Sequence, residues 1–270
     1  MKIALLSWSL SNDFATAIVL KLIQNGHKVS TLVVRKRDSF IKRIMLNAGK
    51  YGTSGAFKKG IKKLTSQDRV YTGQADRHYL KEYIGDLGNS PDITLERVME
   101  RNGISFIYVD NICENRSIMH LRSESPDIII FAGGGLVRKN LLEIPKIGVL
   151  NAHMGFLPEF KGMNVLEWSL HNNATIGVTI HFIDEEIDTG DILIKREIPI
   201  VKGDTINSLR DKSYVISVNA LAETVDKLQE QGIKAIKQEN TGKQYFVMHS
   251  RLKDIVETNL QKKNSSLNTS

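Results

Sequence analysis

Near the start of the chain, Lys2-Ile-Ala-Leu-Leu-Ser7 and the two segments after it determine the fold. Lys2-Ile-Ala-Leu-Leu-Ser7 is a short apolar run of the kind found in buried strands. Residues 14–24 then carry apolar side chains at helical spacing, and Asn25-Gly26 is a good helix terminator. Residues 28–34 form the next apolar run. A strand, a helix and a strand in so short a space predict a right-handed parallel unit.

The same alternation continues along the chain. The strand Ile128-Ile-Ile-Phe131 is a continuous apolar run, which is typical of strands buried in parallel sheets. Further strands are predicted over 104–109, 148–150, 176–183 and 192–200, and helices over 94–101, 117–123, 136–143 and 205–231. We therefore expect an α/β, Rossmann-like fold: a mostly parallel twisted sheet flanked by helices, with a small, mainly helical C-terminal extension. No G-x-G-x-x-G follows the first strand, so the dinucleotide fingerprint is absent.

The chain divides into a main domain and an extension. We predict the main domain over residues 1–203, with a basic insertion at about 35–90, and the extension over 204–270. From about Asn259 the polar tail is predicted to be disordered. The helix over 205–231 carries an apolar stripe, which suits packing within the chain or, as the alternative, a homodimer.

Composition excludes several classes of protein. No apolar run approaches the about 18 residues that a membrane-spanning helix needs. The N-terminus has the pattern of a first strand rather than a signal peptide, which predicts a cytoplasmic protein. The single cysteine, Cys113, excludes an internal disulfide framework and a cysteine-rich zinc site, and we expect no metal.

The net charge of +7 is concentrated in one segment. Residues 35–63 carry ten Lys and Arg against one acid, Asp38. Such a segment is either a solvated basic face or a site for a phosphate-bearing partner. Nucleic acid is disfavoured as that partner, because aromatic residues are sparse in the segment and no recognition motif is present.

Three polar residues in the second half could carry chemistry. Asn151 and His153 lie one residue apart after a strand, so their side chains share a face if the extended geometry continues. Asp188 lies in a turn between two later strands, where its carboxylate can meet the imidazole. Transfer of an acyl group to an amine needs an oxyanion donor, a proton acceptor and a group that orients the acceptor. Asn151, His153 and Asp188 can supply these in that order.

Each of these residues also has a purely structural interpretation. Taken singly, an Asn or Asp beside a strand is most often turn chemistry, and a lone His near a strand end most often has a structural role. His181, on a predicted strand, we assign mainly to structure. The run Ala132-Gly133-Gly-Gly135 is open to two interpretations that are compatible: a tight turn, or a close approach of backbone to a ligand.

The spacing around these residues resembles the signature of the folate-dependent formyltransferases. That superfamily includes glycinamide ribonucleotide formyltransferase, methionyl-tRNA formyltransferase and the sugar N-formyltransferases. An upstream loop, Ala132-Gly-Gly-Gly-Leu-Val-x-Lys139 through Ile144-Pro145, also resembles the family, so the resemblance covers about residues 127–199. The other matching motifs are Asn151-x-His153, Leu157-Pro158-x-x-Lys161-Gly162, Trp168, Gly177-Val-Thr-x-His181 and Asp188-Thr-Gly-Asp191-Ile.

The resemblance implies roles for particular residues. It makes Asn151, His153 and Asp188 the catalytic triad and 10-formyltetrahydrofolate the formyl donor. The pterin of the donor is then expected against two loops, bound largely through backbone groups. The residues expected to contact it are Gly133, Gly134, Gly135, Leu136, Glu185 and Ile187.

The chain also departs from the family pattern. Where relatives commonly have His-x-Ser-Leu-Leu-Pro, this chain has His153-Met-Gly-Phe-Leu-Pro158, which changes the wall beside the histidine. Leu6-Ser-Trp-Ser-Leu-Ser11 lacks the glycine-rich phosphate loop expected of the glycinamide ribonucleotide enzyme. The 70 residues after Ile200 are too few for the C-terminal β-barrel of the methionyl-tRNA enzyme. Both housekeeping acceptors are thereby disfavoured.

We therefore expect an N-formyltransferase that acts on a small, phosphate-bearing primary amine. An amino sugar carried on a nucleotide, as used in surface-glycan biosynthesis, fits best. The alternatives within this reaction are an amino acid, a peptide, a carrier-bound aminoacyl group or glycinamide ribonucleotide. An alternative of another class is a non-catalytic sensor that binds folate or nucleotide; the intact triad argues against it.

Overall fold

The computed structural model describes residues 1–36, 78–239 and 241–266. The strands in this part of the chain are β1 (Lys2–Ser7), β2 (Lys28–Arg35), β3 (Ser105–Val109), β4 (Ile128–Ala132), β5 (Gly148–His153), β6 (Phe160–Gly162), β7 (Gly177–Phe182), β8 (Ile192–Glu197) and β9 (Lys243–Tyr245). The helices are α1 (Asp13–Gln24), α2 (His78–Gly88), α3 (Leu95–Asn102), α4 (Asn115–Glu124), α5 (Lys139–Leu142), α6 (Val165–His171), α7 (Ile206–Gln229) and α8 (Ser250–Ser266). No helix among the described residues is long and apolar enough to cross a membrane.

A seven-stranded sheet lies at the centre, with the order β3-β2-β1-β4-β5-β7-β8. The strands from β3 to β5 are parallel, and β7 and β8 continue the sheet in antiparallel pairing. Strands β1 and β4 are almost wholly buried, because helices cover both faces of the sheet. The predicted α/β fold with a mostly parallel sheet is confirmed.

The strand register aligns several polar residues at one end of the sheet. Ser7 at the end of β1 lies opposite Ala132 of β4, and Phe131 of β4 lies opposite Asn151 of β5. The sheet order reverses between β1 and β4, and open α/β sheets bind ligands in the crevice at such a point. The register therefore brings Asn151 close to this crevice.

Helix α1 is tied to the same end of the sheet by its N-cap. The side chain of Asn12 accepts a hydrogen bond from the Ala15 amide at 3.3 Å, as an N-cap residue does. Its Nδ2 also donates to the Ala132 carbonyl at 2.9 Å. One side chain thus caps the helix and fixes the end of β4, immediately before the glycine run.

The C-terminal segment packs into the same core as the sheet. The apolar stripe of α7 is buried within the chain, through residues such as Leu209, Val218 and Leu221, so intramolecular packing accounts for it. Strand β9 pairs in parallel with β6. Contrary to the predicted disorder from about Asn259, α8 continues to Ser266, and Leu260 is only 4% exposed because it packs on the core.

Two further predictions need correction, and one lies outside the described residues. The helix predicted over 136–143 is reduced to α5, because Gly133–Gly135 all have positive φ and Arg138 is still extended. Strand β5 runs on to His153 rather than ending at residue 150, since Ala152 and His153 pair with β7. Most of the basic segment 35–63 falls in residues 37–77, which lie outside the described residues.

Candidate active site

The end of β5 and the turn between β7 and β8 bring the three predicted catalytic residues together. Asn151 and His153 lie on β5 with their side chains on one face. From the β7–β8 turn, Asp188 lies near His153 and near His181, the partner of Asn151. His153 is 6% exposed and the Asp188 side chain 14% exposed, so little water screens their interaction. Asp188 holds this position with a φ of +56°, which is uncommon for a residue with a side chain.

Asn151 is oriented by His181 on the neighbouring strand. The antiparallel register of β5 and β7 places these two residues directly opposite each other. Nδ2 of Asn151 donates to Nε2 of His181 at 3.0 Å, while Nδ1 of His181 donates to the Phe182 carbonyl at 2.7 Å. This pattern requires a neutral His181. Since an amide nitrogen carries two hydrogens, the second remains able to donate to a substrate oxygen.

His153 lies between two oxygen acceptors. Its Nε2 is 2.7 Å from the Phe160 carbonyl, and its Nδ1 is 3.5 Å from Oδ2 of Asp188. A neutral imidazole can donate to only one of them, whereas the protonated ring can donate to both. An imidazolium formed during a reaction therefore has an acceptor for each of its two N–H groups. To reach a substrate, one ring nitrogen must exchange its protein partner for a substrate atom.

The carboxylate of Asp188 is held by backbone as well as by side chains. Its Oδ2 accepts a hydrogen bond from the Gly162 amide at 2.7 Å, and its Oδ1 is 3.8 Å from Nε2 of His181. Gly162 and Phe160 both belong to β6, so this short strand contacts Asp188 through an amide and His153 through a carbonyl. Strand β6 is thus a backbone frame for the imidazole and the carboxylate.

Strand β9 supports this frame. The ring of Tyr245 stacks on Phe160 with centroids 5.4 Å apart, and Trp168 packs against the same tyrosine at 5.2 Å. Nε1 of Trp168 donates to the Phe246 carbonyl at 2.8 Å, which fixes the chain just after β9. Three aromatic rings from separate elements therefore hold the segment that faces His153 and Asp188.

The segment after His153 departs from the family pattern without opening the wall of the site. A side chain at Gly155 would come within 3.3 Å of Nε2 of His153 and within 2.9 Å of Val165. Phe156 packs over Gly177, where any side chain would collide with its ring. Val165 and Phe156 thus occupy the space around Gly155 and Gly177.

The two loops expected to bind the donor face each other across the end of the sheet. Nζ of Lys139 lies 3.8 Å from Oε1 of Glu185 and joins the loops. Leu136 and Ile187 present apolar side chains to solvent, at 69% and 49% exposure. Among the described residues, a side chain on Gly135 would meet only Arg35 within 4 Å, which leaves room for a ligand near this backbone. Apolar faces beside accessible backbone groups suit a flat heterocycle.

A cavity of about 410 Å³ borders the turn that carries Asp188. Its size falls in the range of small-molecule sites. The residues that line it are Lys161, Asp184, Glu185, Glu186, Thr189 and Gln238. Within the described ranges, no group of three or more His, Cys, Asp or Glu side chains is arranged to hold a metal ion.

The pKa of His181 is lowered from the usual 6.5 to about 4, chiefly by burial and next by the nearby charge of His153, while Asp188 acts in the opposite direction. From the sequence, His181 was assigned to structure, yet its imidazole contacts Asn151 and lies near Asp188. Only the cross-strand register reveals this placement, since a histidine inside a β-branched run is otherwise unremarkable. The neutral ring is an acceptor that keeps the Asn151 amide in place.

We expect His181 to make stability depend on pH. Because the folded pKa is about 4 and the unfolded value 6.5, its contribution is complete above pH 6.5 and declines as the pH falls towards 4. The loss is on the order of 3 kcal/mol. Urea unfolding at several pH values should show the advantage of the wild type over His181→Gln shrinking across this window. An exposed-histidine control, His171→Gln, should keep the pH dependence of the wild type; the same pH dependence in His181→Gln would contradict the assignment.

Comparison with known proteins finds relatives that match about half of this chain. The chain is 39% identical over 131 residues to methionyl-tRNA formyltransferase of Geotalea uraniireducens (strain Rf4), covering 48% of this chain and 42% of that protein. It is 34% identical over 138 residues to methionyl-tRNA formyltransferase of Thermodesulfovibrio yellowstonii, covering 50% and 45%. The chain therefore spans less than half the length of these curated relatives.

Solved structures share the fold at low sequence identity. Phosphoribosylglycinamide formyltransferase from Bacillus halodurans aligns with a TM-score of 0.56 at 19% identity, covering 86% of this chain and 96% of that one. A sugar N-formyltransferase from Shewanella sp. FDAARGOS_354 aligns with a TM-score of 0.57 at 14% identity, covering 97% and 87%. The formyl transferase family model matches residues 90–225, half of the chain, and this span contains Asn151, His153 and Asp188. The chain belongs to the formyl transferase family.

Proposed function

We propose that this protein is an N-formyltransferase that moves a formyl group from 10-formyltetrahydrofolate to a primary amine. The observation that carries the proposal is the meeting of Asn151, His153 and Asp188 in one poorly hydrated site of a formyl transferase family member. A protein that only binds folate has no need of an amide, an imidazole and a carboxylate in one site. The donor supplies a formyl group on a nitrogen that can leave.

The geometry suits direct attack by an amine. A bond forms between the amine nitrogen and the formyl carbon, the bond from that carbon to the donor nitrogen breaks, and the proton lost by the amine ends on the donor nitrogen. The second N–H of Asn151 donates to the formyl oxygen as negative charge develops on it. His153 accepts the amine proton, and Asp188 together with the Phe160 carbonyl stabilises the resulting cation. No Ser or Cys nucleophile is required.

The two facing loops fit the donor. Leu136 and Ile187 offer apolar surface to a pterin, and the exposed Gly135 offers backbone groups for hydrogen bonds. All three glycines have positive φ, and side chains at Gly133 and Gly134 would collide with Trp8 and Ile112. Glycine is therefore required at these two positions for the loop to pack against Trp8 and Ile112.

For the acceptor we propose an amino sugar carried on a nucleotide. Trp8 is 37% exposed at the crevice where the sheet order reverses, next to Gly133. Arg35, at the end of β2, donates to the Gly134 carbonyl at 3.4 Å and brings a guanidinium to the same edge. An aromatic face beside a guanidinium suits a base and a phosphate in one ligand. Arg35 and Lys36 are the described members of the basic segment 35–63.

A carrier-bound aminoacyl group is the second candidate acceptor. It is favoured by the 39% identity to a methionyl-tRNA formyltransferase over 131 residues, 48% of this chain. In both candidates the reacting group is a primary amine, so the triad chemistry is the same. The acceptors differ in what lies beyond the amine.

Mass spectrometry of reaction products tests the proposal. We expect the protein, supplied with 10-formyltetrahydrofolate, to add one formyl group to UDP-linked or dTDP-linked amino sugars and not to methionyl-tRNA or glycinamide ribonucleotide. Product from methionyl-tRNA alone would replace the sugar nucleotide with the aminoacyl acceptor. Binding of tetrahydrofolate without transfer to any of these amines would favour a sensor. The Asn151→Ala variant is the matched negative control.

A further inference from the structure

Gln238, in the C-terminal segment, donates hydrogen bonds to the backbone of the turn that carries Asp188. Nε2 of Gln238 donates to the Asp188 carbonyl at 3.2 Å and to the Gly190 carbonyl at 2.6 Å. The two carbonyls lie on either side of Thr189, and both are acceptors. Only an NH₂ group, with two hydrogens on one atom, can donate to both at once, which fixes the orientation of the Gln238 amide.

The two halves of this turn are held by different hydrogen bonds. Its first half is held internally, because Oδ1 of Asp184 accepts hydrogen bonds from the Glu186 amide at 3.2 Å and the Thr189 hydroxyl at 2.6 Å. Asp188 itself is in the left-handed region, where a residue with a side chain is strained. In the second half of the turn, Gln238 ties down the backbone carbonyls of Asp188 and Gly190.

Gln238 is itself anchored next to the sheet. Ile236 and Ile192 exchange two backbone hydrogen bonds, each of 2.8 Å, so the segment lies against the start of β8. Oε1 of Gln238 is buried and has no hydrogen-bond partner among the described residues. Burying an acceptor without a partner costs free energy of folding. A contribution to stability therefore does not by itself explain why a glutamine occupies position 238. Position 238 also lies beyond the family match, which ends at residue 225.

We propose that Gln238 is a positioning residue that acts through Asp188. The carboxylate must stay 2.7 Å from the Gly162 amide and 3.5 Å from Nδ1 of His153, and Gln238 holds the backbone that sets both distances. A residue outside the family match thus completes the frame around the imidazole. This role rests on the proposed formyl transfer, since it concerns the site at which that reaction takes place.

Kinetics of the Gln238→Met variant tests the role. Methionine keeps the length of the side chain and removes both donated hydrogen bonds. We expect kcat to fall on the order of 10- to 100-fold, as displacements of about an ångström cause, with KM for the acceptor within about twofold. Gln24→Met, the same replacement at an exposed glutamine of α1, should retain the wild-type kcat.

A double-mutant cycle separates positioning from general destabilisation. If Gln238 acts through the Asp188 carboxylate, Gln238→Met should change kcat less than about twofold in an Asp188→Ala background. An equal fall in both backgrounds would overturn the proposal, and so would a wild-type kcat in the single variant. Both variants are first checked by circular dichroism for native folding.

A second measurement does not depend on turnover. The Gly162 amide reports the carboxylate directly, because it donates to Oδ2 of Asp188. In nitrogen-15 spectra of Gln238→Met we expect its resonance to move and its hydrogen exchange to accelerate, while the Ile183 amide, bonded to the Val149 carbonyl, stays unchanged. If the wild type transfers no formyl group, the proposed reaction fails, and this measurement alone decides whether Gln238 positions Asp188. An unchanged Gly162 amide would overturn it.

Discussion

Replacement of His153 by alanine is expected to lower kcat by about 10²- to 10⁴-fold while KM for the acceptor changes little. We assign to the imidazole the acceptance of the proton from the attacking amine. Both of its nitrogens face oxygens, from Asp188 and from the Phe160 carbonyl, so the protein stabilises the protonated product of that step. Removing the ring deletes the proton acceptor but leaves the Asn151 amide, still held by His181, to polarise the formyl oxygen.

Steady-state kinetics on the acceptor identified by mass spectrometry measures this loss. His153→Gln is the informative second variant, because its amide can donate to the Phe160 carbonyl and preserve local packing but cannot take up a proton. His171→Ala removes an exposed imidazole from α6 and should leave kcat unchanged. A kcat for His153→Gln within about threefold of the wild type would remove His153 from the proton transfer.

Replacement of Gly162 by alanine is expected to disrupt both the fold and the reaction. Gly162 has a φ of +98°, and an added Cβ would collide with the Tyr245 carbonyl of β9. Strand β6 must then separate from β9, and the amide that donates to Asp188 at 2.7 Å moves with it. Strain at such a φ and a lost hydrogen bond to a charged group together destabilise by about 3 kcal/mol.

Chemical denaturation and kinetics should report the two effects together. Gly232→Ala is the matched control, since its nearest neighbour, the Lys227 carbonyl, would lie at an ordinary 3.8 Å and its φ is not in the left-handed region. We expect the control to keep the stability of the wild type within about 1 kcal/mol. Equal stability of the two variants would show that β6 can shift away from β9 at little cost, contrary to its role as a frame.

The order of strands and helices was predictable, because the signals are local. Apolar runs such as Ile128-Ile-Ile-Phe131 and terminators such as Asn25-Gly26 predict elements from neighbouring residues alone. Errors arose where backbone conformation departed from the side-chain pattern. The helix expected from Leu136 begins only at Lys139, because three glycines with positive φ delay it. The C-terminal tail is helical beyond Asn259 because Leu260 packs on the core.

Some features of the candidate site could likewise be predicted from the sequence, whereas others depend on the folded structure. Asn151, His153 and Asp188 were predicted from residue type, spacing and family resemblance. The structure brings His153 and Asp188 together and links Asn151 to them through His181. The resemblance was also sufficient to predict the superfamily, to which the family match assigns the chain. The role of His181 depends instead on the register between β5 and β7, which neither strand specifies by itself.

The sequence by itself determined the α/β fold and the chemical groups of the site, because periodicity, turn residues and reactive side chains are legible one residue at a time. Only the tertiary structure determined which hydrogen bonds position those groups. The carbonyl of Phe160 and the amide of Gly162 are backbone atoms, and backbone atoms look the same at every position in a sequence. Gln238 reaches the Asp188 turn from a distant segment, and such a contact exists only once the chain has folded.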